Sequence, residues 1–265
     1  MITGTMILRN AVLLGYPFEV AIRSLQRVSD RVVVSVDPTS EDDTLAIVRG
    51  LGVDVFESVW DLDDPGASDP DSTAGQSCEI ARQTQLVCDQ VKEGWNFSLQ
   101  ADEVLHEKDV DEIRRVTQSG EHTGYALSRL YFFARLTWMR DNWTLPIIRL
   151  FKHDLWLADP DSGGMTFVPV GPQPSAQLLA DIYHYSRVGD PAAISRRVRN
   201  LDAFYHAEEK LVPVDDLPEY TFDLHKLDNA AIKGSAPAHD PEARLVPFPV
   251  DGHPAAAREH YKNYA

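Results

Sequence analysis

The chain has 265 residues, of which 43% are hydrophobic and 25% charged, the composition of an ordinary globular protein with a core of useful size. Its 41 acidic and 25 basic residues give a formal charge of −16, which disfavours broad binding to nucleic acid or another polyanion. No run is long and apolar enough to span a membrane, and the N-terminal MITGTMILRN lacks the features of a signal peptide. We therefore expect a cytoplasmic protein without a membrane span.

Strand-like and helix-like segments alternate through the first sixty residues. The run RVVVSVD is β-branched, as in a buried strand, and YPFEVAIRSLQRV repeats apolar residues at helical spacing. Ser40 is the predicted N-cap of the second helix. The predicted elements are strands at 5–10, 31–37 and 53–58 and helices at 16–28 and 39–52. This βαβαβ alternation predicts an α/β sheet with parallel strands.

The rest of the chain is less regular. Residues 60–75 are acidic, contain Pro and Gly and lack periodicity, which predicts a long loop. The elements predicted after it are helices at 76–94, 107–120 and 191–206 and strands at 96–99, 125–138, 145–154 and 181–186. SRRVRN (195–200) is the only basic cluster, and we interpret it as a solvated helix face.

We predict one mixed α/β domain over residues 1–210, with a mainly parallel sheet flanked by helices. Residues 211–265 contain most of the remaining prolines and are expected to form a C-terminal extension packed on that domain.

Two predicted strands end in acidic residues, one at Asp37 and the other at Asp102 with Glu103 beside it. Ligands of open α/β sheets bind outside the carboxyl ends of strands, so both carboxylates face one crevice if the two strands are parallel neighbours. Asp37 would then accept hydrogen bonds from a base or ribose, or it is a turn residue before Pro38. Asp102 and Glu103 are consistent with a metal site, a cap of the helix at 107 or a solvated turn.

The segment from Trp95 to Glu107, W-x-x-x-L-Q-A-D-E-V-L-H-E, resembles the metal-binding segment of family 2 glycosyltransferases with the GT-A fold. It is closest to the bacterial branch that shows LQADEV, a hydrophobic residue and HE. Other segments follow in the order of that family: RNAVLLGYPFEVAIRSL, SDRVVVSVDPTSEDDTLAIVRGLG, IARQTQLV, IYHYSRV and DGHPAAAREHY. The resemblance spans most of the chain and is most extensive over 7–107. The order of the motifs carries it, and no single motif does.

The resemblance implies a role for each matching residue. Asp37 would contact the nucleotide base or ribose, and Asp102 would bind the Mn²⁺ or Mg²⁺ that bridges the donor diphosphate. Gln100 stands where many family members have Asp, so it offers a carbonyl oxygen without charge, which implies weaker metal binding or a metal held mainly by the donor. The other implied residues are Arg82 or Gln83 facing the donor, Ala101 and Glu103 bordering its pocket, and His184 and His253 as metal ligands or phosphate contacts.

The implied reaction is the metal-assisted transfer of a sugar from a UDP-, GDP- or dTDP-sugar to an acceptor hydroxyl. Residues 1–105 would form the half that binds the nucleotide sugar and residues 106–210 the acceptor half. An inverting reaction needs a carboxylate base, for which Asp161 or Asp159 in WLADPDSGGMTF is the candidate, unless this stretch is simply an acidic Gly-rich turn. The acceptor stays open between a glycan, a lipid-linked sugar, a protein and modified DNA, and the oligomeric state stays open as well.

Two other functions are compatible with the sequence. One is a non-catalytic protein that binds nucleotide sugars, for which Gln100 leaves room. The other is a sugar-phosphate nucleotidyltransferase, a class expected to show a Gly-rich signature with a basic residue near the N-terminus. LRNAVLLGYP contains no such loop, so we favour the transferase of the resembling family.

Overall fold

The computed structural model describes residues 1–61, 74–140, 146–160, 162, 164–202 and 245–265, and for residues 74–78 and 202 it describes the backbone alone. The strands within these ranges are β1 Ile2–Leu8, β2 Arg31–Val36, β3 Asp54–Glu57, β4 Trp95–Ser98, β5 Glu103–Leu105, β6 Gly124–Arg140, β7 Ile147–Lys152, β8 Trp156–Ala158, β9 Phe167–Pro169, β10 Ser175–Val188 and β11 Leu245–Pro247. The α-helices are α1 Phe18–Val28, α2 Thr44–Arg49, α3 Ala74–Cys88, α4 Val110–Ser119, α5 Pro191–Asp202 and α6 Ala255–His260.

Nine of the described strands form one sheet in the order β3-β2-β1-β4-β7-β6-β10-β5, with β11 paired to β6. The first four strands in this order run parallel to one another, and β6 is parallel to β10. In contrast, β7 is antiparallel to both β4 and β6, and β5 is antiparallel to β10. β8 and β9 form a separate antiparallel pair. The predicted class, a mixed α/β sheet flanked by helices, is confirmed.

The side chains of the parallel block alternate between two layers of the core. Val33 of β2 packs with α3 in the smaller apolar cluster. The other valines of β2 pack with α1 in the larger cluster: Val32, Val34 and Val36. α1 fits closely against β1 because Gly4 has no side chain, and a Cβ there would lie 3.2 Å from the Cβ of Leu25. Alternation along β-branched strands therefore places helices on both faces, as the sequence pattern predicts.

Several predicted elements have different ends in the structure. β1 begins at Ile2, earlier than predicted, because its pairing with β2 already starts at Thr3. α2 covers only Thr44–Arg49, since the hydroxyl of Ser40 donates to the carbonyl of Asp37 and does not cap the helix. α3 begins at Ala74, inside the predicted loop, and ends at Cys88. The hydrogen bond of Ser40 shows how a local side-chain to backbone contact can replace the capping contact at the start of a helix.

The described C-terminal residues pack onto the sheet. β11 pairs antiparallel with the end of β6, and Ala257 and Tyr261 belong to the same large apolar cluster as β10. Residues 203–244 lie outside the described ranges, so a domain boundary near residue 210 stays a prediction. In the part of the chain that is described, none of the helices combines the length and the apolar character that crossing a bilayer requires.

Candidate functional site

A cavity of about 310 Å³ opens at the carboxyl ends of β1 and β4. Arg9 directly follows β1, and Gln100 to Asp102 follow β4, so two parallel neighbours deliver these residues to one edge of the sheet. Further lining comes from α3, β6, β7, β10, α5 and the turn after β8. The polar and aromatic lining residues among those described are Arg9, Tyr16, Trp60, Thr84, Ser98, Gln100, Asp102, Arg129, Tyr131, Phe133, Arg149, His184, Ser186, Arg187, Arg197 and Asn200.

Asp102 and His184 meet in this cavity. Asp102 lies in the turn between β4 and β5, and its carbonyl accepts a hydrogen bond from the backbone N–H of Tyr185 at 2.9 Å, which holds the turn against β10. Its Oδ1 is 3.6 Å from Nε2 of His184. Burial raises the pKa of Asp102, against the opposing effect of Arg197, and burial together with Arg129 lowers the pKa of His184 to about 3. His184 is therefore a neutral imidazole at pH 7 and not an ionic partner.

Glu103 lies beneath the cavity and does not line it. Its side chain is fully buried, and its Oε1 accepts a hydrogen bond from Nη2 of Arg149 at 2.7 Å. Its Oε2 accepts the backbone N–H of Gln100 at 2.9 Å, and Nη1 of Arg129 is 3.6 Å from Oε1. The carboxylate of Glu103 thus orients the backbone of Gln100 and the side chains of Arg129 and Arg149.

Asp37 is not among the residues that line the cavity. β1 lies between β2 and β4, so the two acid-ended strands are not neighbours and the condition for a shared crevice is not met, although both strands run parallel to β1. The buried carboxylate of Asp37 accepts Nε of Arg9 at 3.1 Å and both the backbone N–H and the hydroxyl of Thr39. Asp37 therefore organises its own turn and holds Arg9 at the cavity. A contact between Asp37 and a nucleotide base stays a prediction.

Arg82 and Gln83 of α3 also lie away from the cavity, which α3 lines with Ile80 and Thr84 one turn apart. The guanidinium of Arg82 is bidentate with Glu79 at 2.6 and 2.8 Å. The side-chain amide of Gln83 donates to the same Glu79 and to the carbonyl of Val59. Both residues thus tie α3 to the segment after β3, and a direct role toward a donor stays a prediction.

The predicted base region forms the turn between β8 and β9. Asp159 is partly buried and does not line the cavity, and Asp161 lies outside the described residues. Gly164 of the same turn does line it, with a φ of +71° that favours glycine. A Cβ at Gly164 would sit 3.0 Å from the Cα of Ala81, so this turn packs directly against α3.

His253 is remote from the cavity and fully buried. Its Nε2 lies 2.8 Å from the carbonyl of Leu136, which requires a proton on Nε2, and its Nδ1 then accepts the hydroxyl of Tyr185 at 2.8 Å. Both ring nitrogens are thus occupied, and His253 joins the C-terminal segment to β6 and β10.

Among the described residues, five arginines line the cavity, and the sequence pattern points to none of them: Arg9, Arg129, Arg149, Arg187 and Arg197. Arg197 belongs to the basic cluster interpreted as a solvated face, but only 2% of it is exposed, so that interpretation is wrong for Arg197. Arg129 shares its strand face with Tyr131 and Phe133, at the spacing of two that a strand imposes. A register shift between His184 and Arg187 brings Arg187 to the cavity as well. Such irregularities cannot be located from sequence periodicity.

The described residues do not make a complete metal site. Asp102 and His184 are the candidate ligands, and no group of three or more His, Cys, Asp or Glu side chains comes together in the described ranges. Mg²⁺ is satisfied by one or two protein carboxylates with phosphate oxygens and water. Here, however, the guanidinium groups of Arg129, Arg187 and Arg197 lie close enough to Asp102 to influence its charge, and they oppose a cation. The residues present fit an anion better than a resident divalent ion, and Mn²⁺ or Mg²⁺ stays a prediction.

No protein-family model matches this chain, and no curated protein matches it. Among solved structures, it is similar to S. aureus TarS 1–349 in complex with UDP-GlcNAc, at 13% identity over 77% of this chain and 66% of that chain, with a TM-score of 0.46. The complex of TarS 1–349 with UDP gives 12% identity over 77% and 64% of the two chains and a TM-score of 0.44. The chain thus spans slightly less than two thirds of TarS 1–349.

A putative glucose-1-phosphate thymidylyltransferase from Bacillus anthracis, in complex with a sucrose, is similar at 11% identity over 88% of this chain and 83% of that one, with a TM-score of 0.35. At 11–13% identity and TM-scores of 0.46 or less, these likenesses fix neither a reaction nor a substrate. The function of this chain must therefore be inferred from its cavity.

Proposed function

We propose that this protein is a glycosyltransferase of the GT-A type, which moves a sugar from a nucleotide-diphosphate sugar to an acceptor hydroxyl. The observation that carries the proposal is the cavity at the carboxyl ends of β1 and β4, where one carboxylate, Asp102, faces several arginines. Nucleotide ligands of α/β sheets bind at this edge. The combination of several arginines and one carboxylate among the described lining residues suits a ligand that carries both phosphates and sugar hydroxyls.

Each part of the cavity has a role in this proposal. The arginines bind the diphosphate, on which negative charge builds when the bond to the anomeric carbon breaks. The carboxylate of Asp102 accepts hydrogen bonds from hydroxyls of the ribose or the sugar and thereby orients the donor. The neutral His184, whose Nδ1 is 3.3 Å from the hydroxyl of Ser186, supplies a further polar contact on the same wall.

In the transfer itself, the acceptor oxygen bonds to the anomeric carbon as the bond from that carbon to the diphosphate breaks. In an inverting reaction, the acceptor proton passes to a carboxylate. Asp159 and Asp161 are retained as the predicted candidates. Asp159 lies between β8 and β9, in the region from which Gly164 and Met165 reach the cavity, and Asp161 lies outside the described residues. The UDP-, GDP- or dTDP-sugar donor and the glycan, lipid-linked, protein or DNA acceptor are also predictions.

A panel of UDP-, GDP- and dTDP-sugars tests the proposal by thermal shift and by hydrolysis of the donor, each with EDTA and with Mn²⁺. We expect at least one nucleotide sugar to raise Tm and to be turned over. Asp102→Asn, which keeps the shape but removes the charge, should lower turnover by about tenfold or more, since an oriented charged hydrogen bond is lost.

Asp111→Asn serves as the matched control, because Asp111 is exposed on α4 and does not line the cavity. Stabilisation by a nucleotide sugar without any turnover would favour a binding protein. Synthesis of a nucleotide sugar from a sugar 1-phosphate and a nucleoside triphosphate would favour the nucleotidyltransferase. If no nucleotide sugar raises Tm or is hydrolysed under either condition, the proposal is wrong.

A further inference from the structure

The charge of the cavity runs opposite to that of the protein. The chain has a formal charge of −16, yet the described residues that line the cavity include five arginines and a single carboxylate, Asp102. Four of these arginines are buried, with exposed fractions between 1% for Arg149 and 9% for Arg129. Buried cations are found where they are paired with opposite charge, so the partners of each guanidinium have to be accounted for.

Arg9 and Arg149 are each paired with a carboxylate inside the protein. Arg9 is paired with Asp37 at 3.1 Å, and Arg149 with Glu103 at 2.7 Å. Arg129 reaches only the same Glu103 oxygen, at 3.6 Å, which is beyond a good hydrogen bond. Its Nε has no hydrogen-bond partner among the described residues, although the guanidinium stacks 4.9 Å from the ring centre of Tyr131.

Arg197 has more buried nitrogens without a hydrogen-bond partner among the described residues than Arg129 has. Only 2% of this residue is exposed, and its Nη2 donates to the carbonyl of Val188 at 3.3 Å. Its Nε and Nη1 have no hydrogen-bond partner in the described part of the chain. The guanidinium stacks 5.4 Å from the ring centre of Tyr16, a contact that orients it without using these N–H groups. Buried donors without protein partners are uncommon, and a polar ligand or a water is the usual group that satisfies them.

We infer that the guanidinium groups of Arg129 and Arg197 bind the diphosphate of the donor directly and carry its charge in place of a divalent ion. Planar guanidinium groups donate to phosphate oxygens in pairs. Arg129 and Arg197 both line the cavity, and each has N–H groups without a partner among the described residues. The candidate ligands for a divalent ion do not form a comparable site, because only Asp102 and His184 meet in the cavity among the described residues. The inference rests on the proposed function only for the identity of the anion.

Inorganic pyrophosphate is the probe that separates the two ways of holding a diphosphate. Its binding to the full chain is measured by isothermal titration calorimetry in EDTA and again with excess Mg²⁺. We expect binding in EDTA with an affinity that Mg²⁺ does not increase. Binding that is absent in EDTA and appears with Mg²⁺ would overturn the inference without involving any variant.

The residues are tested with Arg129→Gln and Arg197→Gln, each expected to weaken pyrophosphate binding in EDTA by about tenfold or more, because a charged hydrogen bond is lost. Arg197→Lys, which keeps the charge but loses the planar fork, should bind with intermediate affinity. Arg115→Gln is the matched control, since Arg115 is exposed on α4 and paired with Glu112. Circular dichroism confirms that each variant is folded, and wild-type affinity in folded Arg129→Gln and Arg197→Gln would contradict the assignment.

The pyrophosphate results are read together with the nucleotide-sugar panel. Pyrophosphate binding in EDTA with no turnover of any nucleotide sugar supports the arginine site and removes the proposed function. Turnover of a nucleotide sugar only with a divalent ion, and no pyrophosphate binding in EDTA, supports the function and removes the inference.

Discussion

The carboxylate of Glu103 is fully buried and holds three groups in place. It accepts Nη2 of Arg149 and the backbone N–H of Gln100, and it lies 3.6 Å from Arg129. Arg149 is itself 1% exposed, so the two charges stabilise each other in an environment where neither would be tolerated alone. Glu103 therefore supports the cavity from beneath, as a positioning residue for the arginines above it.

We expect Glu103→Gln to lower the free energy of unfolding by about 3–5 kcal/mol, because the Arg149 charge is left buried without its counter-charge. The measurement is a urea titration followed by circular dichroism. Glu112→Gln is the matched control: Glu112 pairs with Arg115 on the solvent side of α4, and its loss should leave stability unchanged within error.

A second substitution distinguishes the lost charge pair from a mere change of shape. Replacing the arginine as well, in Glu103→Gln with Arg149→Met, removes both charges, so the double variant should be more stable than Glu103→Gln alone. The single variant Arg149→Met is measured as well. If the double variant loses as much free energy of unfolding as the two single variants together, the charge pair is not the source of the effect.

At the scale of elements, the sequence predicts what is local. The β-branched run gives β2, the apolar spacing of 16–28 gives α1, and the order of elements gives the parallel block. The edge of the sheet where Gln100 to Asp102 emerge follows from that order. The arrangement of Arg129, Arg187 and Arg197 in the cavity does not follow from the order of elements. These arginines come from β6, β10 and α5, which are distant in the chain, and an irregular register in β10 contributes.

The C-terminal segment shows the same dependence on distant contacts. The resemblance implies that His253 is a metal ligand or phosphate contact, whereas in the structure it lies between β6 and β10 with both ring nitrogens hydrogen-bonded. Its ring also packs against Phe132 in a tilted arrangement and against Phe248 edge-to-face, at ring-centre distances of 4.3 and 4.8 Å. A neutral imidazole in an aromatic cluster joins the last helix and β11 to the sheet.

The buried, hydrogen-bonded imidazole of His253 predicts that the stability of the protein depends on pH. Burial lowers the pKa of His253 to about 4, so the unfolded chain binds a proton between about pH 6.5 and pH 4 that the folded chain does not. The stabilisation is fully present above pH 6.5 and is lost as the pH falls toward 4. His184, with a pKa of about 3, adds to the same trend. Urea titrations from pH 7.5 to 4.5 should show wild-type stability falling on acidification.

Replacing the imidazole isolates its share of this slope. His253→Gln should be less stable than the wild type at pH 7.5, and the difference should shrink toward pH 4.5, because the variant has no imidazole to protonate. His153→Gln, on the turn after β7, leaves this contact intact and should keep the wild-type slope. An equal loss at every pH in His253→Gln would mean that packing, and not protonation, accounts for the contribution of His253.

At the scale of the whole molecule, the negative net charge and the arginine-lined cavity together favour small anions over large ones. A polyanion approaching the surface meets a formal charge of −16, whereas a small anion that enters a cavity of about 310 Å³ meets five guanidinium groups. Salt screens the surface charge at distances beyond about 8–10 Å but affects the buried arginines less. We therefore expect the cavity to bind a compact anion more readily than nucleic acid.

Both halves of the chain line the cavity, since Arg9 and Gln100 come from residues 1–105 and Arg129 and Arg197 from residues 106–210. If the inferred anion binds there, it contacts both halves, and we expect them to unfold in one transition that pyrophosphate shifts as a unit. At about 100 times its Kd, the ligand should add about 2.7 kcal/mol to the free energy of unfolding. Melting curves from far-ultraviolet circular dichroism and from tryptophan fluorescence should coincide with and without pyrophosphate. Two transitions, of which the ligand moves only one, would show that the halves fold independently.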